Sequence, residues 1–194
     1  MDPEILPKTK KENYFKEFFK IAIIAIVIVI PFRMFIAEPF MVNGESMDPT
    51  FDSGHYLIVD RITYRFKAPE RLDIIVFDYP KEAVKYTENT NIYLIKRIIG
   101  LPGETLNIKD GKVTVINKEH PEGIIIPDNF VIDSHRTNEN LDITLGPTEY
   151  YVMGDNRANS LDSRKWGPLE EKYIVGRPIL RLLPFSKIGI LPGK

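Results

Sequence analysis

Hydrophobic residues are concentrated in one uninterrupted run near the N-terminus. The segment IAIIAIVIVIPF, from Ile21 to Phe32, carries no charge, and the apolar stretch extends over residues 18–37. About twenty residues in a helix match the hydrocarbon core of a bilayer, which is roughly 30 Å thick. Lys20 and Arg33 lie near the ends, where long side chains can reach the membrane interface. The pattern therefore predicts a transmembrane helix over residues 18–37.

The residues around this run indicate an uncleaved anchor of defined orientation. A signal peptide has a short basic start and small residues at its cleavage site, whereas this start contains four acidic residues and the run ends in Phe35-Ile36-Ala37. A buried core helix is disfavoured by the long Ile/Val run beside a lysine-rich terminus. Lysines cluster before the run, and no basic residue follows Arg33 until Arg61. Because cytoplasmic ends carry the excess of Lys and Arg, we expect a single-pass plasma (inner) membrane protein with residues 1–17 cytoplasmic and residues 38–194 extracytoplasmic.

Beyond residue 38 the apolar positions come in short, β-branched and aromatic runs bounded by turn residues, which is typical of strands. The predicted strands are 56–60, 74–79, 92–99, 105–109, 112–116, 150–153 and 173–183. Asp110-Gly111 predicts a type I′ hairpin turn, and Pro178 predicts an edge or a bulge in its strand. The polar residues 117–145 are interpreted as a variable insert, either a loop or a small subdomain. Since no useful helical period follows residue 38, the outer domain should be mainly β.

Charge and composition exclude several classes of function. The chain of 194 residues has 26 basic and 27 acidic side chains, and a balanced charge without a basic stripe gives no support for nucleic-acid binding. The absence of cysteine excludes disulfides, thiolate nucleophiles and zinc sites with Cys ligands.

A serine in a turn-prone stretch is the first candidate for chemistry. Ser46 lies in NGESMDPTF, directly after the apolar run, and a serine hydroxyl needs a base before it can attack. The imidazoles of His55, His120 and His135 all appear in turn-rich, polar surroundings that favour surface positions. The sequence therefore gives little support to a Ser-His pair.

A neutral lysine is the alternative base. Lys96 lies in IYLIKRIIGLPGE among isoleucines, and desolvation can lower the pKa of a lysine until its amine is neutral. Strand alternation predicts that Lys96 and Arg97 face opposite sides, one toward the core or a cleft and the other toward water. An edge strand with both residues at an interface is the competing interpretation.

A third polar stretch, GDNRANSLDSRKWGPL, begins at Gly154. Its spacing does not fit a calcium-binding loop, because Arg157 occupies a ligand position. The stretch is either a solvated loop or a scaffold in which an Asp162–Arg164 ion pair fixes a loop beneath a site.

Taken together, these blocks resemble the boxes of type I signal peptidases, which are Ser-Lys proteases. The matching blocks are GESMDPTF, RLDIIVFDYP, YLIKRIIGLPGE and GDNRANSLDSRKWGPL, and GRPILRLLPFSKIG is similar to the end of the family. The single span and compact size look more like the Gram-positive-type bacterial enzymes. The resemblance implies a signal-peptidase-like β-barrel or sandwich with a membrane-facing apolar rim. It also implies an endopeptidase that removes signal peptides from exported preproteins after small residues at −1 and −3.

The resemblance assigns roles to individual residues. It makes Ser46 the nucleophile, Lys96 the general base and Ser160 the hydroxyl that orients the lysine amine. Asp162 and Arg164 match the supporting ion pair of the family, and the Ser46 N–H would serve the oxyanion hole. The residues at the positions of the S1 and S3 pockets are Phe40, Val42, Met47, Val76, Leu94 and Ile95. No cofactor or metal is implied, and the expected partners are preprotein signal peptides and the lipid bilayer.

Three positions depart from the family pattern. Gly44 stands where some members carry a second serine that helps the oxyanion hole, Leu72 replaces the usual glycine, and His55 takes a position that is often acidic. Ser46 follows Ala37 by nine residues, which reach at most about 30 Å. We therefore expect the nucleophile near the outer membrane face.

Other functions remain open at this point. Mitochondrial inner-membrane and conjugative-pilus peptidases use the same chemistry on different clients. A self-cleaving repressor is disfavoured by the absence of a DNA-binding segment. A membrane-tethered adaptor without activity has no need for Ser46 and Lys96 together.

Overall fold

The computed structural model describes residues 14–35, 37–79 and 92–193. The chain divides into an N-terminal unit, Met1–Ile36, and a β-rich unit, Ala37–Lys194. The first unit contains helix α1, Tyr14–Phe35, so a helix covers most of the predicted segment 18–37. In the described part of the chain, no helix is both long enough and apolar enough to cross a membrane. The predicted transmembrane span is therefore not confirmed, and residue 36 lies outside the described residues.

The described part of the β-rich unit is built from short strands, one short α-helix and several 3-10 turns. The larger strands are β1 Ala37–Met41, β2 Tyr56–Asp60, β3 Ile74–Asp78, β4 Tyr93–Gly100, β5 Thr105–Lys109, β6 Lys112–Ile116, β8 Leu141–Thr144, β9 Glu149–Met153 and β11 Ile174–Leu183. Two-residue strands are β7 Ile124–Ile125, β10 Leu169–Glu170 and β12 Gly189–Ile190, and α2 is a single turn, Ser163–Trp166. The predicted mainly β class is confirmed, and the seven predicted strands differ from the observed ones by at most one residue at either end.

The strands form two antiparallel sheets. The larger sheet has the order β1-β2-β11-β3-β4-β9-β10, with β12 beside β11, and the smaller has the order β7-β6-β5-β8. A buried cluster joins them, with Ile99 and Met153 from the larger sheet and Leu106 and Val115 from the smaller. This contact places the end of β4 in the core of the unit.

Two turn predictions can be checked directly. Asp110 and Gly111 have φ of 49° and 75°, the pair of positive angles that a type I′ turn requires, so the predicted hairpin between β5 and β6 is confirmed. Pro178 is not at an edge, because β11 lies between β2 and β3. The pairing of β11 with β2 shifts register between Pro178 and Leu180, so the bulge alternative is correct: proline has no N–H to give to the ladder.

Residues 117–145 are part of the fold and not an appended loop. They supply β7 and β8, which flank β6 and β5 and complete the smaller sheet. Their apolar residues Ile126, Val131 and Leu145 are buried. Of the two interpretations from sequence, the small subdomain is therefore the better description, and it shares its core with the rest of the unit.

Candidate active site

The fold brings Ser46 and Lys96 into direct contact. Lys96 Nζ lies 2.7 Å from Ser46 Oγ, although 50 positions separate the two residues. A second hydrogen bond, of 2.8 Å, runs from Lys96 Nζ to the Ile95 carbonyl oxygen. A hydroxyl and an amine at this distance can exchange a proton, which a nucleophile and its general base must do.

Strand β4 places the Lys96 amine out of contact with water. Lys96 is 2% exposed and pairs across the sheet with the fully buried Ile75. Burial lowers the pKa of Lys96 from 10.5 to about 8, against the opposing charges of Asp162 and Asp155. Near pH 8 roughly half of the amine is therefore neutral and able to accept a proton.

Backbone hydrogen bonds fix the loop that carries Ser46. The chain before it is held at Val42, which donates to the His55 carbonyl (2.9 Å) and accepts from Gly54 N–H (2.8 Å). The Ser46 carbonyl accepts a 3.1 Å hydrogen bond from Asn156 N–H, in the loop 154–162. Among the described residues the Ser46 N–H has no hydrogen-bond partner. It is thus free to donate to an oxyanion that forms beside Oγ.

Asp162 and Arg164 form a buried ion pair in the turn that leads into α2. Arg164 Nε and Nη2 each lie 2.8 Å from a carboxylate oxygen of Asp162. Asp162 also caps α2 and accepts a 3.0 Å hydrogen bond from Gly154 N–H. Burial raises the pKa of Asp162, but the hydrogen bonds and charge of Arg164 outweigh it and hold this pKa below its ordinary value. Asp162 is therefore an anion that ties residue 154 to α2.

Ser160 packs beside the nucleophile loop, and among the described residues it forms no hydrogen bond with Lys96. Its Oγ is buried and, within the described part of the chain, has no hydrogen-bond partner of good geometry. A Cβ added to Gly154 would lie 2.3 Å from Ser160 Oγ and 2.4 Å from the Ser46 carbonyl oxygen, so only glycine fits at position 154. The role of Ser160 in orienting the Lys96 amine stays a prediction.

Arg97 is buried too, and the prediction that Lys96 or Arg97 faces water is wrong. Its Nε and Nη2 donate to the Asp155 carboxylate at 2.8 and 2.7 Å. Its Nη1 donates to the carbonyl oxygens of Leu72 and Gly193, both at 3.0 Å. A guanidinium can be buried when its donors are paired in this way. The pairing ties β4 to the loop 154–162 on the side of the strand away from Lys96.

The departures at positions 44 and 72 have different geometries. Gly44 has φ 95° with no heavy atom within 4 Å of an added Cβ, so this side of the loop is open. Leu72 has φ 69°, in the left-handed region that glycine adopts more easily. Its N–H is held by the Ile98 carbonyl at 2.9 Å, which helps to maintain that conformation.

An apolar cavity of about 100 Å³ lies beside Ser46 and Lys96. The structure places five of the six predicted pocket residues in its wall: Phe40, Val42, Val76, Leu94 and Ile95. Met47 is not in the wall; it is 1% exposed and packs in a core cluster with Phe51 and Ile74.

Four further residues of the wall were missed from the sequence: Met41, Asn43, Leu57 and Tyr93. The Tyr93 ring packs edge-on against Phe40, with 5.3 Å between centroids. Strand alternation could have found this residue, because Tyr93 lies two positions before Ile95 and shares its side of β4.

His55 is buried, which corrects the surface position predicted for it. The residue is 3% exposed, its ring packs edge-on against Phe51, and Nε2 lies 3.2 Å from the Asp52 carboxylate. Burial lowers the pKa of His55, partly opposed by the Asp52 charge. The aspartate three residues earlier explains why an imidazole is tolerated there.

The other two histidines occupy different environments. His120 is exposed, as expected, whereas His135 is half-buried with Nε2 3.4 Å from the Asp48 carboxylate. Among the described residues, none of the three histidines forms a hydrogen bond with Ser46. The observed geometry around Ser46 is therefore that of a Ser-Lys pair.

Known proteins similar to this chain identify its family. A family model described as signal peptidase, peptidase S26, matches residues 15–183. A signal peptidase I of Leptolyngbya laminosa is 35% identical over 188 residues, which cover 94% of this chain and 86% of the relative. Signal peptidase I V of Bacillus subtilis is 37% identical over 165 residues, covering 81% of this chain and 93% of the relative.

Similarity extends to a plant protein and to a solved structure. Thylakoidal processing peptidase 1 of Arabidopsis thaliana is 35% identical over 174 residues, 88% of this chain and 49% of the relative. The crystal structure of a signal peptidase I from Enterococcus faecalis is 26% identical and has a TM-score of 0.45, covering 57% of this chain and 97% of that one. From the match over residues 15–183 and the relatives matched along most of their length, the chain belongs to the signal peptidase family, peptidase S26.

Proposed function

We propose that the chain is a membrane-bound serine endopeptidase that removes signal peptides from preproteins by a Ser-Lys mechanism. The observation that carries this proposal is the 2.7 Å contact between Lys96 Nζ and Ser46 Oγ beside an apolar cavity. Family membership supports signal peptidase I activity, and this geometry supplies the chemistry.

In the first step, neutral Lys96 takes the proton of Ser46 as Oγ attacks the scissile carbonyl carbon. The negative charge moves to the carbonyl oxygen, where the Ser46 N–H is available as a donor. Lys96 then returns the proton to the leaving amine, and an acyl-enzyme ester remains on Ser46. In the second half, Lys96 takes a proton from a water molecule that attacks the ester. The signal peptide leaves as a free carboxylate, and Lys96 returns the proton to Ser46 Oγ.

Two free strand edges support an extended substrate. Among the described strands, β1 pairs only with β2, and the part of β4 from Tyr93 to Lys96 pairs only with β3. Residues of both strands line the cavity, so a peptide can add to an edge by main-chain hydrogen bonds. In an extended peptide, residues −1 and −3 point to the same side. A small apolar cavity on that side favours small side chains at both positions.

A cleavage assay tests the chemistry. The detergent-solubilised chain is incubated with a preprotein bearing an Ala-x-Ala site, beside Ser46→Ala and Lys96→Ala variants whose folding is checked by circular dichroism. Release of the mature protein by wild type alone supports the proposal. Full activity of Lys96→Ala would show that another residue is the general base, and His55 would be the next residue to test. An inert wild type on several substrates would favour an adaptor that keeps the family fold without activity.

The proposed location is the plasma (inner) membrane, with α1 as a single anchor, residues 1–17 cytoplasmic and the catalytic unit outside. The lysines near α1 and the uncharged run Ile21–Phe32 support this topology. Protease treatment of spheroplasts tests it: the catalytic unit should be digested, while a tag at residue 1 should be protected. If the catalytic unit is instead protected from the added protease, the orientation in the membrane is the opposite of the one proposed.

A further inference from the structure

The segment His135–Glu139, called here the clasp, connects the subdomain 117–145 to both loops of the candidate site. At its first residue, His135 Nδ1 lies 3.3 Å from the Asp48 carbonyl oxygen and Nε2 lies 3.4 Å from the Asp48 carboxylate. Asp48 follows Ser46 by two positions. One end of the clasp is therefore attached to the nucleophile loop.

The rest of the clasp is attached to the second loop. The His135 carbonyl accepts a 2.9 Å hydrogen bond from Ala158 N–H. Further along, Arg164 Nη1 donates to Glu139 Oε2 at 2.9 Å and to Thr137 Oγ1 at 3.2 Å. His135 thus contacts the loop 154–162, and Thr137 and Glu139 contact Arg164 in α2, which follows that loop.

Glu139 completes the pairing of a buried cation. Arg164 uses Nε and Nη2 for Asp162, and Nη2 also donates to the Arg157 carbonyl at 2.7 Å. Among the described residues, Nη1 is held only by Thr137 and Glu139. The Arg164 side chain is 3% exposed, and buried guanidinium groups need partners for their donors. Without Glu139, Arg164 would lose one of its two carboxylates.

The contacts continue from the clasp to the nucleophile. Glu139 holds Arg164, Arg164 holds Asp162, and Asp162 accepts the Gly154 N–H. Two residues later, Asn156 N–H donates to the Ser46 carbonyl. Gly154 packs closely against the Ser46 carbonyl. Because this contact is tight, a displacement of the loop 154–162 must also move Ser46.

From these contacts we infer that the clasp sets the position of Ser46 relative to Lys96, with Glu139 as its main positioning residue. The inference rests on the proposed Ser46–Lys96 chemistry. It gives residues 117–145 a part in catalysis, beyond completing the smaller sheet. Glu139 touches neither Ser46 nor Lys96 in the described contacts and acts through Arg164.

Kinetics of full-length variants on the Ala-x-Ala preprotein test the inference. Glu139→Ala removes the carboxylate, whereas Glu139→Gln keeps a hydrogen-bond acceptor. Glu122→Ala is the matched control. Glu122 is an exposed acid of the same subdomain, and among the described residues its side chain forms no hydrogen bond or ion pair. The concentration of folded enzyme is taken from the circular dichroism of each variant, so that kcat refers to folded enzyme. We expect kcat of Glu139→Ala to fall about tenfold or more, since a small misplacement of a reacting group is costly, while KM stays within about twofold.

The conservative variant and a double-mutant cycle separate positioning from general loss of structure. Glu139→Gln should recover most of kcat, and Glu122→Ala should match wild type. In an Arg164→Ala background, Glu139→Ala should have little further effect, because both changes break the same chain of contacts. The pH at half-maximal kcat should rise in Glu139→Ala if water reaches Lys96 as the loop relaxes.

Distinct outcomes overturn distinct claims. An active wild type with unchanged kcat in Glu139→Ala overturns the inference and leaves the proposed function intact. A loss confined to KM, or additive losses in the cycle, also overturns it. An inactive wild type overturns the proposed function, and the inference with it.

Discussion

At the scale of single residues, the site depends on burying a lysine without a carboxylate partner in contact. The hydrogen bonds of Lys96 Nζ go to a hydroxyl and a carbonyl, and neither acceptor carries the negative charge that would most favour an ammonium. The nearest charges that oppose its low pKa, Asp162 and Asp155, are occupied by Arg164 and Arg97. Because each aspartate is already paired with an arginine, its attraction for the charged form of Lys96 is weakened.

Activity should follow the deprotonation of Lys96. The folded-state pKa of about 8 lies below the ordinary 10.5, so kcat/KM should rise about tenfold per pH unit below pH 8 and level off above it. A pH series of initial rates with a fluorogenic Ala-x-Ala peptide measures this limb. A limb centred near pH 6.5 would instead indicate a histidine base.

The same burial should cost stability. Below pH 8 the folded protein holds a charged Lys96 out of water, and the cost of burying this charge lowers the free energy of unfolding. Between about pH 8 and pH 10.5 only the unfolded chain still binds the proton, so the cost is progressively relieved as the pH rises. Lys96→Met should therefore raise the free energy of unfolding at pH 7 by up to roughly 3 kcal/mol. Urea denaturation of both proteins measures this difference in the free energy of unfolding, which should vanish near pH 10.5. A Lys96→Met variant less stable than wild type at pH 7 would contradict the expectation.

At the scale of elements, β4 combines three functions in eight residues. Within the described part of the chain its first half pairs only with β3, its centre carries Lys96, and its second half also pairs with β9 in the core. Tyr93 begins the strand and packs on Phe40 from β1, so this aromatic pair closes the cavity between two strands that are not neighbours in the sheet.

Removing the Tyr93 ring from the cavity wall should allow larger side chains at position −3 of the substrate. Tyr93→Ala should raise kcat/KM for a preprotein with Leu at −3, relative to Ala, by about tenfold or more, because added side-chain volume then has space. Tyr93→Phe keeps the ring and serves as the control. Competition between the two preproteins in one reaction measures the ratio, and an unchanged ratio in Tyr93→Ala would show that this wall does not limit the −3 residue.

Local patterns were sufficient to predict most strands and the Asp110-Gly111 turn, because alternation and turn chemistry are properties of neighbouring residues. They also singled out Ser46 and Lys96, since an isolated lysine among isoleucines is unusual. The burial of Arg97 was missed because its partner Asp155 lies 58 positions away. Strands β7, β10 and β12 were missed because two residues show no period, and β1 and β8 were also not predicted. The link from Glu139 to Arg164 depends on how the two sheets pack.

At the scale of the whole molecule, the β-rich unit has its own core and contains every residue of the candidate site. Among the described residues, the buried clusters around β4, β9 and the smaller sheet contain no residue of α1. The proposed chemistry and the proposed anchor therefore belong to separate units of the chain.

Deleting residues 1–36 should separate these two properties. We expect the remaining chain to fold with a cooperative thermal transition and to cleave a short soluble Ala-x-Ala peptide, because the site is complete without α1. Its rate on a membrane-bound preprotein should fall by an order of magnitude or more, since a shared bilayer raises the effective concentration of enzyme and substrate. Flotation with liposomes gives the binding of each form, and equal rates on both substrates would argue against an anchoring role for α1.

The free edges of β1 and β4 have a consequence for turnover. In the proposed mechanism, hydrolysis changes only the bond after residue −1, so the released signal peptide would keep the extended backbone and the two small side chains that the edges and the cavity are proposed to hold. The enzyme is thus open to competitive inhibition by its own product. Sustained turnover requires that spent signal peptides leave the cleft or are degraded by another protease, and the rate of export can then be limited by this clearance.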